Sequence, residues 1–456
     1  MRPLSKATLT GLVVCALTIG ITGCSGDDNS PGDDGKSGDA PSTIRVMLWG
    51  NDQDISSVKE AAEGFTTAHP NIKIEWESGD CGVDYAACKT LVAGGNLPDA
   101  FILGTWSYFD AVRDGVVEDL TEYLADSNTS VADFTPKVIS DLTASDGGIY
   151  GLPMGYNIQS LFYNKDLFDA AGLAYPPADG SYTYDDLREW AKKLTLDGAG
   201  KNAAEASFDA EDVQQWGYFN YAASPIPQGY TPVLAAFGGA ILTGENRDVC
   251  SADSDETIAG FQWIEDLMWT DHTAITPQLQ QEESGDARWI RGQVAMQQGS
   301  HEQVAAVQAQ SPDMNYGIAA LPKGPAGNAT LYQAHVWSVA KSSEVKDAAW
   351  EFVHYMATEG AGKQMALIPA YKDLAEGEDF ALAPNEPEGL VQAQIEPVEW
   401  PLTVTNTDPS GVSAIVTSQD GVAPAIEDII TGRKSAKEAL GGICASKLDA
   451  LITGSE

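Results

Sequence analysis

From Thr43 to Leu103 the chain alternates strand, helix, strand, helix, strand, and this order restricts its architecture more than any other stretch. Thr43 to Trp49 (TIRVMLW) is a near-continuous apolar strand. Asp54 is placed to cap a helix whose buried face is Ile55, Val58, Ala62 and Phe65, spaced three and four apart, and His69-Pro70 stops it. Ile72, Ile74 and Trp76 alternate with Lys73, Glu75 and Glu77, the pattern of a half-buried strand. A second helix carries Tyr85, Cys88, Leu91 and Val92, stops at Gly94-Gly95, and leads through Pro98 to the strand Ala100 to Leu103. Such alternation predicts an α/β fold with mostly parallel sheets flanked by helices. Ligands of such folds sit beyond the carboxyl ends of the strands, here Trp49 to Asp52 and Gly104 to Tyr108.

The second informative stretch is Gly151 to Phe168, GLPMGYNIQSLFYNKDLF. The apolar run Ile149 to Pro153 is followed by a Gly155-Tyr156-Asn157 break, a second apolar run from Leu161 to Tyr163, and a helix start at Lys165. An interruption between two buried strands is where a chain leaves one lobe for another, so Tyr156 and Asn157 are expected to face the space between lobes. At 456 residues, 43% of them hydrophobic, the chain has room for two or three cores.

The N-terminus has the order of a secretory signal. Arg2 and Lys6 precede an apolar stretch from Leu9 to Ile21 that is short for a membrane span, and Ile21-Thr22-Gly23-Cys24 follows. This resembles a bacterial lipobox, which implies that residues 1–23 are removed and that Cys24 carries the lipid anchor. Ser25 to Ser42 holds Gly, Ser and Asp without a large apolar side chain, so residues 24–42 read as a flexible tether spanning roughly 25 Å on average. The formal charge of −40 argues against nucleic acid and anionic lipid surfaces as partners, since both need Lys and Arg.

Four cysteines remain beyond Cys24. Cys81 and Cys88 flank a turn and make the most economical pair in an oxidising compartment; Cys250 with Cys444 is then left by arithmetic, while Cys444 also suits a buried free thiol on the seam Leu440, Cys444, Leu448. No spacing of Cys and His fits a metal site, and no cofactor fingerprint stands in the right context. There is no Gly-x-Ser-x-Gly elbow, His-Glu-x-x-His or Walker loop. With 66 Asp and Glu, paired carboxylates arise by chance, which keeps a secreted glycoside hydrolase only as a minor alternative.

Several segments resemble, in order, the solute-binding proteins of bacterial sugar ABC importers, the maltose-binding-like family 1. They are GGNLPDAFILG, the stretch Gly151 to Phe168, RWIRGQVAMQQGSHEQVAAV with His301 where the family has an aromatic residue, and Pro322-Lys323-Gly324. The resemblance implies two lobes joined by three hinge crossings: 43–154 plus 335–368, and 155–334 plus 369–456. It also implies a monomeric, non-enzymatic protein, lipid-anchored outside the membrane of a Gram-positive type of cell. Such a protein captures a mono- or oligosaccharide and hands it to an ABC permease; a polyamine or peptide ligand is the alternative.

Aromatic faces with polar edges suit sugars, so Trp49, Trp106, Tyr108, Tyr156, Trp337 and Trp400, which fall at strand ends or crossings, are candidate ligand contacts. Asn51, Asp52 and Asn157 are placed to pair with hydroxyls. Gln228, Tyr230, His301 and His335 complete the candidate set.

Overall fold

The computed structural model describes residues 41–453, apart from 80, 83–84, 245–246, 379, 381–385 and 406–417. The signal peptide, Cys24 and nearly all of the tether lie outside the described residues. Strands β1 (Ser42–Leu48), β2 (Ile72–Ser78) and β3 (Ala100–Gly104) alternate with helices α1 (Asp52–Ala68) and α2 (Tyr85–Ala93), and helix α3 (Thr105–Arg113) follows, as the periodicity predicts. The cap of α1 differs. Asn51 is the N-cap, its side chain accepting from the Gln53 and Asp54 amides, and Asp54 closes the capping box as its third residue.

The remaining strands are β4 (Leu152–Ile158), β5 (Ser160–Asn164), β6 (Leu196–Asp197), β7 (Val213–Phe219), β8 (Leu242–Thr243), β9 (Val249–Cys250), β10 (Val294–Gly299), β11 (Tyr316–Ala320), β12 (Leu331–Val339), β13 (Ile368–Pro369) and β14 (Val404–Thr405). They form two main sheets. The first has the order β13-β4-β12-β3-β1-β2 with β14 beside β12, and the second has the order β11-β5-β10-β7-β6. Helices flank both, giving the two-lobed α/β class.

The sheets are mixed rather than mostly parallel. β1 pairs in parallel with β2 and β3, and β7 with β10, whereas β12 runs antiparallel to both β3 and β4. A helical crossover returns each of the early strands to one end of the sheet and so keeps it parallel; β12 arrives directly from the second sheet and therefore runs the other way.

Gly155, Tyr156 and Asn157 do not interrupt a strand: they lie inside β4, and the break falls at Gln159. Gly155 serves close approach, since a Cβ there would meet the Ile368 carbonyl oxygen of β13 at 2.7 Å. The first two passages between sheets run side by side. The Gln159 amide donates to the Leu331 carbonyl at 2.9 Å and the Thr330 hydroxyl to the Gln159 carbonyl at 2.6 Å.

Each lobe has an aromatic-rich core. Phe352 meets Phe65 edge-on at 5.3 Å and Trp337 at 5.3 Å, while Tyr184 packs against Trp263 at 4.8 Å. Two disulfides are present. Cys81–Cys88 brackets the start of α2 with 4.5 Å between Cα atoms, and Cys250–Cys444, at 5.7 Å, ties β9 to the C-terminal helical segment.

Candidate functional site

The carboxyl ends of the parallel strands in the two sheets converge on one seam. β1 and β3 end in Trp49 to Asp52 and Thr105-Trp106, and β7 and β10 end in Asn220-Tyr221 and Ser300 to Gln303. Trp49 and Trp106 are half-buried and stand with ring centroids 6.2 Å apart; His335 on β12 lies 5.0 Å from Trp49 and 5.8 Å from Trp106. Trp49 Nε1 donates to the Ile102 carbonyl at 3.2 Å. Glycine makes room for both indoles, since a Cβ at Gly82 would overlap Trp49 and one at Gly104 would overlap Trp106. Burial pushes His335 down to about 4, so its imidazole is neutral at physiological pH, and its Nδ1 is buried without a partner.

On the other side of the seam, Asp286 accepts from the Tyr221 hydroxyl at 3.2 Å, Gln297 Nε2 at 2.5 Å and Gln303 Nε2 at 3.0 Å. Glu302, the first residue of the helix Glu302–Gln310, accepts from Asn157 Nδ2 of β4 at 2.5 Å, a bond that joins the two lobes. Partial desolvation raises both carboxyls above the ordinary range, although Glu302 keeps an exposed edge to solvent. For Glu302 the charges of Asp54 and Asp286 add to that effect, and Asn157 and His301 oppose it. Gln228 Nε2 reaches Gln333 Oε1 at 3.0 Å, and Gln298 Nε2 reaches the Gln228 carbonyl at 2.5 Å. Three amide oxygens in this network, Asn157 Oδ1, Gln297 Oε1 and Gln303 Oε1, are buried without a hydrogen-bond partner. Buried polar atoms are paired as a rule, so a cluster of orphans at strand ends marks a place built for a hydrogen-bonding guest.

The sequence candidates divide. Trp49, Trp106, Asn157, Gln228 and His335 belong to this seam, and Asn51 and Asp52 stand exposed at its edge, with the Asn51 oxygen engaged in capping α1. Tyr108, Tyr230 and Trp337 are core residues instead. Tyr108 is fully buried with its hydroxyl donating to the Leu142 carbonyl at 3.0 Å; Trp337 is fully buried with Nε1 on Gln364 Oε1 at 3.0 Å; Tyr230 packs on Phe261 at 5.5 Å. Tyr156 is likewise fully buried, edge-on to Tyr332 at 6.2 Å. In each case the large apolar face fills the interior, which aromatic residues do as readily as they line clefts.

His301 has both ring nitrogens engaged, Nδ1 with the Ala366 carbonyl and Nε2 with Glu386 Oε2, each at 2.9 Å, so it ties the second lobe to the chain after β12. Trp400 is half-buried behind Glu399, whose carboxylate accepts the Lys137 amide at 3.0 Å. Tyr221, Asp286, Gln297, Glu302 and Gln303 were not among the sequence candidates. For Gln297, Glu302 and Gln303 the signal was the run QQGSHEQ, in which polar residues continue an otherwise apolar strand; Tyr221 and Asp286 carry no comparable signal.

A groove of about 760 Å³ on the first lobe, lined by Glu118, Asp119, Glu122, Trp350 and His354 among others, contains no buried polar atom lacking a partner. The seam is therefore the better candidate.

Known proteins resemble this chain in sequence and in fold. A maltooligosaccharide ABC transporter solute-binding lipoprotein of Streptococcus pneumoniae is 25% identical over 456 residues, covering 95% of this chain and 94% of that protein. Among solved structures, an ABC substrate-binding protein of Listeria monocytogenes in complex with cycloalternan superposes with a TM-score of 0.73 at 21% identity, over 91% of this chain and 98% of its own. Maltose-bound MalE3 of T. maritima gives 0.70 at 20% identity, over 90% and 100%. The profile of the bacterial extracellular solute-binding protein family matches residues 49–363, most of the chain, and the chain belongs to that family.

Proposed function

We propose that this protein captures a carbohydrate in the seam between its lobes and presents it to the permease of an ABC importer. The observation that carries the reading is the set of buried, unpartnered amide oxygens of Asn157, Gln297 and Gln303, taken with the half-buried Trp49–Trp106 pair at the strand ends of the first sheet. Sugar hydroxyls donate and accept in pairs while the C–H faces of the ring lie on indoles, and this seam offers both surfaces. The S. pneumoniae relative and the cycloalternan- and maltose-bound neighbours support a saccharide ligand.

In this reading each lobe is built on one of the two sheets. The first two crossings then fall at Gln159 and Thr330 rather than at 154/155 and 334/335, because β4 runs on to Ile158 and β12 begins at Leu331 within the first sheet. The lobes close by rotation at these crossings. Because a ligand favours closure only by as much as it prefers the closed form, contacts from both lobes are required. Cys24 carries the lipid, and the monomeric body acts outside the membrane without turning its ligand over. Thermal-shift titration of the purified chain with mono- and oligosaccharides tests this: a ligand at a hundred times its dissociation constant adds about 2.7 kcal/mol of stability. Chromatography of the same mixtures should return the saccharide unchanged; cleavage would favour a hydrolase, and a panel without any stabilising saccharide would remove the reading.

A further inference from the structure

We propose that Gly82 and the Cys81–Cys88 cross-link are positioning elements of the ligand site, holding the Trp49 indole in the orientation that meets the guest; the proposal rests on the carbohydrate reading above. Gly82 is buried, and the Trp49 ring lies so close across it that a Cβ there would overlap Nε1. The Gly82 carbonyl accepts from the Ser107 hydroxyl at 3.0 Å. Ser107 follows Trp106 on α3 and is also within reach of the Gly104 carbonyl, at 3.1 Å. One backbone unit therefore touches the ring of Trp49 and the helix turn that carries Trp106. Its other neighbour is Cys81, fully buried and bonded to Cys88 of α2.

The backbone at this place has little stiffness of its own. Gly79 and Gly82 stand on either side of Cys81, and glycine leaves a chain its widest conformational freedom. Helix α2 spans nine residues and fully buries only Cys88, and a helix so short is marginal by itself. The cross-link makes that one buried side chain the tie between α2 and the residue before Gly82. In the chain-entropy view, a bridge between residues seven apart restricts the unfolded chain far less than Cys250–Cys444, whose residues are 194 apart, so its main effect is local. Trp49 itself has one hydrogen bond, from Nε1 to the Ile102 carbonyl at 3.2 Å. A single bond leaves a ring free to tilt about it, and the Gly82 backbone is the wall that removes this freedom. An aromatic anchor held in its binding orientation spares the ligand the cost of ordering it.

The test is calorimetric titration of the full chain with glucose, maltose and maltotriose. It compares the native protein with Gly82→Ala, with the paired variant Cys81→Ser and Cys88→Ser, with Trp49→Ala, and with the first two changes each combined with Trp49→Ala. Gly82→Ala keeps the cross-link, so it decides the matter even where the cysteine pair is needed for folding. Gly82→Ala and the cysteine pair should each weaken saccharide binding about tenfold, no more than Trp49→Ala does, and neither should weaken it further once Trp49 is replaced. The cysteine pair should still lower the unfolding midpoint in both backgrounds, so that stability follows the cross-link while affinity follows the ring. Native affinity in Gly82→Ala, or losses that add to that of Trp49→Ala, overturns the positioning role and leaves the carbohydrate reading standing. Native affinity in Trp49→Ala does the same, since the ring is then no contact. A native chain that binds none of the three saccharides overturns both.

Discussion

Asn157 Nδ2 of β4 donates to Glu302 Oε1 of the second lobe at 2.5 Å, so one hydrogen bond links the first sheet to the helix that follows β10. Asn157 is 8% exposed, whereas Glu302 stands exposed at the start of its helix. Replacing Asn157 by Leu removes that donor, and because the exposed Glu302 carboxylate can turn to water instead, the cost to the closed form is about 0.5–1.5 kcal/mol. Saccharide affinity should fall by the corresponding factor, and small-angle scattering of the liganded variant should show a larger radius of gyration. Native affinity with a native radius would mean that this bond does not hold the lobes together.

His335 sets a pH dependence of the opposite sense to the raised acids around it. Its folded-state value is pushed down to about 4 by burial, against about 6.5 for a free imidazole. Below pH 6.5 the unfolded chain takes up a proton that the native ring refuses, so this contribution to stability is full above pH 6.5 and is lost as pH falls toward about 4. The slope reaches about 1.4 kcal/mol per pH unit. His335→Gln should flatten the native stability curve across that window, as read by denaturant titration at half-unit steps. Identical slopes in the two proteins would show that the ring is protonated where it sits.

The Cys250–Cys444 disulfide closes a span of 194 residues, longer than any other cross-link among the described residues. In the chain-entropy view such a loop contributes about 5 kcal/mol by restricting the unfolded ensemble. The paired variant Cys250→Ser with Cys444→Ser should lower the unfolding midpoint of the second lobe while leaving the Trp49–Trp106 side largely native in its fluorescence. A midpoint within a degree of the native one would place the stabilisation elsewhere.

The early part of the fold was legible because β1 to β3 and α1 to α2 are local: each apolar period buries itself on its immediate neighbours. The direction of β12 was not, since it depends on where the chain arrives from, which no local pattern encodes. The site divides in the same way. Trp49 and Trp106, expected from strand ends, and Asn157, expected from a break that lies inside β4, are placed at the seam, while Tyr108, Tyr156 and Trp337 have the same sequence appearance and lie in the core. Gln297 and Gln303 escaped notice because the polar run that holds them was read for its likeness to a family segment, and an amide has no motif of its own. Only the orphaned oxygens reveal what they face.

Trp106 and Gly104 should act as a unit. The indole occupies the space that a Cβ at Gly104 would fill, so Gly104→Ala moves the ring without removing it. The ring is a side-chain obstacle at the end of β3, hence the fold should tolerate the change better than a clash with backbone. Trp106→Ala removes a half-buried aromatic contact, which costs ligand binding about 2 kcal/mol if the ring is an anchor. If Gly104 matters only by seating that ring, the double variant should bind no worse than Trp106→Ala alone, a coupling of the kind seen between contacting residues. Calorimetry on the two single variants and the double variant measures it. Additive losses would show that Gly104 serves the backbone at the strand end and that the position of Trp106 is set by other contacts.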